Sequence, residues 1–349
     1  MMRGRTDVLD DRPMVICIPA RNEEAMLPGL LDAMAALTVD HARLDVCLYL
    51  DDCRDGSAAW LDRIAPTLPY RLTVAQGGAN GAPNAGAARQ AAVAMGLALL
   101  GGCDGLIFTT DADSRPRHDW IAAGCKALAE AEVVAGRIVR NQATRDPQAS
   151  RIERYYDRLH RYRRSIDPVA WEARDTHHFS GGANIAIWAS AYRQMGGFLP
   201  LASGEDARLL DDASRAGLRV RRDGTMVVET SSRREGRIAG GLAGLLLALD
   251  QGEQPCLADP RGAAWQWRAQ AVARERFAMM DRLDVRVTLG ERLGLTADHL
   301  LGVVRNCPNA EAFAMRIVPT SPVYDGMVSL EEAEDILTTL ENRWCEVAA

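Results

Sequence analysis

The chain has 349 residues, enough for one large core or two moderate ones. A hydrophobic content of 48% and a charged content of 25% are ordinary for a globular protein, and a net charge of −6 excludes the basic balance of a non-specific nucleic-acid binder. Lys126 is the only lysine, so arginine carries nearly all the positive charge, which reads as codon bias in a GC-rich genome.

Residues 1–13 mix Arg3, Arg5 and Arg12 with Asp7, Asp10 and Asp11 and hold no apolar stretch, so they read as a tail and not as a signal peptide. No apolar run approaches transmembrane length; the best candidate, 242–249, reads as a buried helix. The eight cysteines include no C-x-x-C pair. Cys17, Cys47 and Cys103 sit in or near strand-like segments. Free thiols in a reducing cytoplasm are the expectation, with attachment to the inner face of a membrane left open.

Met-Val-Ile-Cys-Ile at 14–18 is a first strand, closed by Pro19. Ala20, Arg21, Asn22, Glu23 and Glu24 follow, and a helix is expected over 23–37, where Met26, Leu27, Leu30, Leu31 and Met34 have helical spacing. A strand that delivers a loop onto a helix start suits ligand binding at the carboxyl ends of an open α/β sheet. Residues 45–50 form a second strand, which ends in Asp51, Asp52, Cys53, Arg54, Asp55, Gly56 and Ser57. Acids there could take ribose hydroxyls or a base N–H. Asp55, just before Gly-Ser, reads as a helix cap. Residues 71–75 are a third strand, 76–84 a glycine-rich loop and 85–100 an alanine-rich helix. Gly77, Gly78 and Gly81 match neither phosphate-binding fingerprint, so this reads as a surface loop. Asn84 and Arg89, at the start of the helix, could face the same cleft.

Residues 105–116, Gly-Leu-Ile-Phe-Thr-Thr-Asp-Ala-Asp-Ser-Arg-Pro, read as a buried strand ending in two carboxylates. Asp111 and Asp113, with Ala112 between them, would point to one side of an extended segment. There they could share Mg2+ or Mn2+. Alone, such a pair is also a common turn or cap. Pro116 should stop the strand.

A helix over 117–130 and a strand over 133–139 follow. The helix over 151–164 interleaves Tyr155, Tyr156, Leu159 and Tyr162 with Arg151, Arg154, Arg158 and Arg161. Its basic face reads as solvated and balanced by neighbouring acids, with phosphate binding as the alternative. Residues 177–188 form an extended apolar segment in which Gly181 and Gly182 let a backbone approach a ligand. His177 and His178 face opposite ways and should not share a metal. A short helix at 190–195 ends at Gly196-Gly197. Gly204-Glu205-Asp206 opens another over 207–216, ended by Gly217. Val220 and 226–228 are short strands, and 230–241 is a polar Ser/Arg/Gly segment. Helices at 242–249, 263–280, 297–304 and 330–344, with 288–296 between, carry no catalytic constellation. The expected organisation is a tail at 1–13, an α/β domain at 14–241 and a helical region at 242–349.

In this order the motifs resemble family 2 glycosyltransferases of the GT-A fold, over about 15–241. The resemblance rests on Ile18-Pro19-Ala20-Arg21-Asn22-Glu23-Glu24, Asp51-Asp52 with Asp55-Gly56-Ser57, residues 84–89, and Asp111-Ala112-Asp113. It continues in Ser180-Gly181-Gly182-Ala183-Asn184, Gly196-Gly197-Phe198 and Glu205-Asp206. It implies a Rossmann-like, mixed, mainly parallel sheet with flanking helices, followed by the helical region. It also implies a hexosyltransferase-type enzyme that moves a sugar from a nucleotide-diphosphate donor to a hydroxyl of a carbohydrate, lipid-linked or small-molecule acceptor.

The resemblance assigns roles residue by residue. Asp111 and Asp113 should bind the donor's ribose and a Mn2+ or Mg2+ ion bridging its diphosphate. Pro19, Ala20, Arg21 and Glu23 should line the base and ribose pocket, and Asp51 or Asp52 should contact the base. The segment from that pair to Asp55 is one residue shorter than the commonest family pattern, so either aspartate matches. Asp206 is the expected base of an inverting reaction, with Glu205 orienting the acceptor, and Gly182 and Ala183 lie where acceptor and donor sugar meet. The family's further metal ligand, often a histidine, has no counterpart near 230–237. Instead Arg233, Arg234 and Arg237 stand on a 231–241 loop that suits closure over a diphosphate. A retaining GT-A enzyme, a nucleotidyltransferase and a non-catalytic nucleotide-sugar-binding subunit are the alternatives. The helical region could shape the acceptor side or a homodimer interface.

Overall fold

A computed structural model describes residues 12–77, 84–140, 147–231 and 256–348. β1 (Met14–Ala20) is an apolar run buried along nearly its whole length, the pattern of a strand covered on both faces. It lies between β2 (Leu44–Asp51) and β4 (Leu106–Thr109), both parallel to it, and β3 (Arg71–Gly77) extends the parallel set beyond β2. β7 (Ile185–Trp188) runs antiparallel to both β4 and β6 (Val133–Arg140). β8 (Val220–Thr230) pairs in parallel with β6, and the edge strand β5 (Ser114–Pro116) pairs antiparallel with β8. The described sheet is thus eight-stranded, mixed and mainly parallel, in the order β3-β2-β1-β4-β7-β6-β8-β5.

Helices flank it: α1 (Leu27–Ala35), α2 (Ser57–Ile64), α3 (Ala85–Leu99), α4 (Trp120–Leu128), α6 (Ala189–Met195) and α7 (Glu205–Arg215). The largest core cluster joins Ile16, Ile18, Leu48 and Phe108 of the sheet to Leu30 and Met34 of α1 and Trp120 of α4. The Phe108 and Trp120 rings meet edge-on at 5.1 Å. Burying each such side chain contributes about 1.5–3 kcal/mol. α3 buries small residues instead. A Cβ on Gly96 would stand 2.5 Å from Cys17 Sγ, so glycine lets that helix close on β1.

Three local expectations change in the fold. Residues 177–188 do not form one strand: a single 3-10 turn at Gly182–Asn184 precedes β7. The buried Asn184 side chain holds this turn by accepting from Trp120 Nε1 and donating to the carbonyls of Arg137 and Met226. Val220 and 226–228 belong to one strand whose register jumps between Gly136 and Arg137. The polar residues at that bulge, with Asp223 accepting from Thr225, hide the strand from the sequence pattern. The strand expected over 105–116 is split into β4 and β5 by a turn, and Pro116 is the last residue of β5, at the sheet edge where a missing N–H is tolerated.

The described residues fall into two compact units. One comprises 12–140, 173–212 and 219–231; the other comprises 147–172, 213–218 and 256–348. The second is helical: α5 (Pro147–Ile166), α8 (Pro260–Arg276), α9 (Leu283–Leu293), α10 (Ala297–Val304), α11 (Ala310–Ile317) and α12 (Leu330–Ala348), with a ribbon of β9 (Cys256–Ala258) and β10 (Met327–Ser329). α5 sorts with these later helices because its apolar face, Ile152, Tyr155, Tyr162 and Ile166, shares a cluster with Leu257, Leu330 and Leu337. Its arginines are matched by acids of α12: Arg151 pairs with Glu334, and Arg158 Nη2 lies 2.6 Å from Glu341. For Arg151 and Arg158 this agrees with the acid-balanced reading of that face. Much of 288–296, placed between helices from the sequence, belongs to α9, whose Val285, Leu289 and Leu293 form a buried stripe. The expected boundary at 241/242 lies outside the described residues, as does the 242–249 helix. No described helix is long and apolar enough to cross a membrane.

Candidate functional site

The loops after β1 and β2 interlock. Arg21 reaches Asp51 Oδ2 through Nη1 at 3.0 Å and Asp52 Oδ2 through Nη2 at 3.2 Å, so one guanidinium holds both candidate aspartates. Asn22 and Asp52 take left-handed backbone conformations, with φ of 52° and 46°. Asn and Asp tolerate this better than other non-glycine residues. Asn22 Oδ1 accepts the Arg54 N–H at 2.7 Å, and Cys53 Sγ accepts from Asn22 N while donating to Ala20 O. Asp55 accepts the Glu24 N–H at 3.0 Å, and Glu24 in turn accepts the Gly56 N–H at 2.8 Å. Asp55 also accepts from Ser57 N, an Asx turn at the start of α2, where Gly56 and not Asp55 holds the cap position. Burial pushes the Asp55 carboxyl up, but these bonds outweigh it and hold the group below its ordinary value. Pro19 and Ala20 end β1 beside this loop pair, and the Glu23 carbonyl accepts from Met26 and Leu27 as α1 begins.

Asp111, Ala112 and Asp113 are not extended. Ser114 N donates to Asp111 O at 3.1 Å, closing a turn between β4 and β5. The turn replaces the i, i+2 geometry expected of a strand, because the chain must reverse to reach the edge strand. Asp111 Oδ1 lies 3.0 Å from Arg89 Nη2. Asp113 Oδ1 accepts from Ser114 Oγ at 3.5 Å and Thr230 Oγ1 at 3.4 Å. No group of three or more His, Cys, Asp or Glu side chains among the described residues is arranged to hold a metal.

Arg89 and Glu205, picked out separately in the sequence, meet in the interior. Arg89 is 5% exposed and Glu205 4%. Arg89 Nε lies 3.2 Å from Glu205 Oε1, and Arg89 Nη1 donates to Gly182 O at 3.0 Å. Thr109 Oγ1, at the end of β4, donates to the same carbonyl at 2.7 Å. The Gly182 N–H donates to Asp206 Oδ2 at 2.8 Å, and Asp206 Oδ1 accepts from Ala207 N. Burial works against the Arg89 charge, but Asp111, Glu205 and Asp206 outweigh it and hold the guanidinium above its ordinary value. Burial dominates for Glu205 and raises its carboxyl despite Arg89. Breaking such a buried pair by removing one partner costs about 3–5 kcal/mol.

Two groups of the site residues read from the sequence come together. Arg21, Asp51 and Asp52 come together with the Pro19–Glu23 backbone. Arg89, Asp111, Gly182, Glu205 and Asp206 come together around one buried guanidinium. Asn84 instead caps α3, accepting from Ala87 N at 2.8 Å and donating to Pro200 O at 2.9 Å. Arg234 and Arg237, with the rest of the expected 231–241 loop beyond Ser231, lie outside the described residues. Thr109 and Cys53 were not singled out for the site. Their placement at strand ends is the signal that marks them.

Residues 15–186 match the model of glycosyl transferase family 2. Among solved structures, the chain is similar to S. aureus TarS 1-349 in complex with UDP-GlcNAc, at 12% identity over 94% of this chain and 91% of that one, with a TM-score of 0.49. It is also similar to the mannosyltransferase PcManGT from Pyrobaculum calidifontis in complex with GDP-Man and Mn2+, at 17% identity over 86% and 77% of the two chains, with a TM-score of 0.49. No curated protein matches the chain. Residues 15–186, which supply β1 to β6 and the Asp51, Asp111 and Gly182 positions, thus belong to glycosyl transferase family 2.

Proposed function

We propose that the protein is a metal-dependent, inverting glycosyltransferase that moves a hexosyl group from a nucleoside-diphosphate sugar to an acceptor hydroxyl. One observation carries the reading: Gly182 is bonded on one side to Arg89, which holds Asp111, and on the other to Asp206. Such a reaction needs groups for the diphosphate on one side of the anomeric carbon and a base on the other. In this reading Pro19, Ala20, Arg21, Glu23, Asp51 and Asp52 line the base and ribose pocket.

Asp113 and the Asp111 oxygen turned away from Arg89 suit a divalent cation. Both are hard oxygen donors, the kind that Mg2+ or Mn2+ takes, and would hold such an ion beside the donor's diphosphate. Once bound, the ion would neutralise charge developing on the leaving diphosphate.

Asp206 takes the proton of the acceptor hydroxyl as that oxygen bonds to the anomeric carbon and the bond from carbon to diphosphate oxygen breaks. One displacement inverts the centre. The Gly182 N–H fixes the orientation of the Asp206 carboxylate. The α/β domain over 14–241 does this work in the cytoplasm or at the inner face of a membrane. The helical region over 242–349 supplies no catalytic group and shapes the acceptor side or a homodimer interface.

The test is release of nucleoside diphosphate from a panel of UDP- and GDP-sugars with Mn2+, Mg2+ or EDTA, followed by NMR of the product's anomeric proton. Metal-dependent release from one donor with inverted product is the expected result. Equal release in EDTA would overturn the metal, a retained configuration the mechanism, and no release from any donor the activity.

A further inference from the structure

We propose that Arg89 is a positioning residue that holds Asp111 and Asp206 in a fixed relation and does not itself touch the donor; the proposal rests on the glycosyltransferase reading above. The sequence places Arg89 near the start of α3, where it could line a cleft. The structure turns it inward. Its three nitrogens are each committed to a different stretch of chain: Nη2 to Asp111 after β4, Nη1 to Gly182 O before β7, and Nε to Glu205 at the start of α7. A planar guanidinium fixes three such partners in one plane, which a lysine ammonium cannot.

The surroundings leave it little freedom. Arg89 Cζ stands 5.6 Å from the Phe198 ring centroid, and that segment is pinned by a 3.0 Å bond from Phe198 N to the Tyr192 hydroxyl. A Cβ on Gly182 would stand 2.4 Å from Arg89 Cζ, so the glycine is what lets the guanidinium reach that carbonyl. At 5% exposure, Arg89 offers no edge to a phosphate.

The coupling then runs in both directions. On the donor side Arg89 anchors Asp111. On the acceptor side it anchors both neighbours of the base, Glu205 directly and Gly182 through its carbonyl, while the Gly182 N–H donates to Asp206. Glu205 is a second counter-ion, so the buried charge stays compensated when Asp111 turns to a ligand. Displacing a catalytic group by about an ångström costs on the order of a hundredfold in rate.

Four proteins test this: wild type, Arg89→Met, Asp206→Asn and the double variant. Binding of UDP and of GDP with Mn2+ is measured by calorimetry, and donor turnover is measured well below each melting temperature. Arg89→Met should lower kcat by about a hundredfold and leave nucleotide Kd within about threefold. In the Asp206→Asn background, Arg89→Met should cost less than about threefold more, because residues acting as a unit are non-additive. Should Arg89→Met fail to fold, Arg89→Lys carries the same expectations with a smaller loss. A tenfold weaker Kd with kcat preserved would show direct donor contact. Unchanged kcat with only a lower melting temperature would show a purely structural role, and full additivity with Asp206→Asn would show no coupling to the base. Each of these overturns the proposal. Wild-type turnover in Asp206→Asn alone would instead sink the assignment of the base, and a wild type that binds neither nucleotide would sink the glycosyltransferase reading.

Discussion

Gly182 donates its N–H to Asp206 Oδ2 at 2.8 Å, across 24 positions of sequence, and this bond aims the carboxylate assigned as the base. A rigid backbone donor suits a catalytic carboxylate at a helix start, where the side chain is short and its reach is set by the backbone.

Asp206→Asn keeps an oxygen that can accept from Gly182, so the local fold should survive. Turnover should fall by roughly a hundred- to ten-thousand-fold, the usual contribution of a positioned base. Kd for UDP or GDP with Mn2+ should change little. Steady-state rates and calorimetry on the same samples check both halves.

Asp113→Ala should remove the metal-dependent part of nucleotide binding. A ligand at one hundred times its Kd stabilises the folded state by about 2.7 kcal/mol. In the wild type, UDP or GDP plus Mn2+ should therefore raise the melting temperature more than either alone. In the variant the two together should do no better than nucleotide without metal. A full metal-dependent shift in Asp113→Ala would place the ion elsewhere.

Glu132 offers a pH test away from the site. It accepts the Arg219 backbone N–H at 2.8 Å and pairs with the Arg219 side chain. Burial pushes its carboxyl up, but Arg219 outweighs this and holds it below its ordinary value. The folded pKa is depressed, so the stability gained is fully present above the unfolded value of about 4.3 and is lost as pH falls through the lower folded value. Glu132→Gln should cost up to about 1 kcal/mol at neutral pH for a partly exposed pair. Urea melts down a pH series should converge for the two proteins at the acid end.

Leu337 of α12 is fully buried in the cluster that α12 shares with α5 within the helical unit. Leu337→Ala should destabilise by about 2–5 kcal/mol, the cost of the lost transfer energy and the cavity. Chemical denaturation would measure it. A change under 1 kcal/mol would mean that α5 does not depend on that cluster.

The sequence by itself determined the parallel half of the sheet and singled out residues that the fold gathers into the candidate site. β1, β2 and β4 announce themselves as continuous apolar runs, because a strand buried on both faces has no polar side to show. The polar residues that end them, Arg21, Asp51 and Asp111, are legible because loops at strand ends must carry whatever chemistry the sheet positions. Tertiary structure decided how these pieces combine. β7 has the same apolar pattern whichever way it runs, and only its neighbours β4 and β6 set its antiparallel direction. The turn at Asp111–Asp113 follows from the path to the edge strand β5, not from the local residues. Arg89 and Glu205 lie 116 positions apart, and Arg89 has no local signal separating it from a cleft-facing arginine. Hydrophobic periodicity reports which face of an element is buried. It carries no information about which distant charge will be buried with it, and that is settled only when the strand order brings α3, the β4 turn and α7 together.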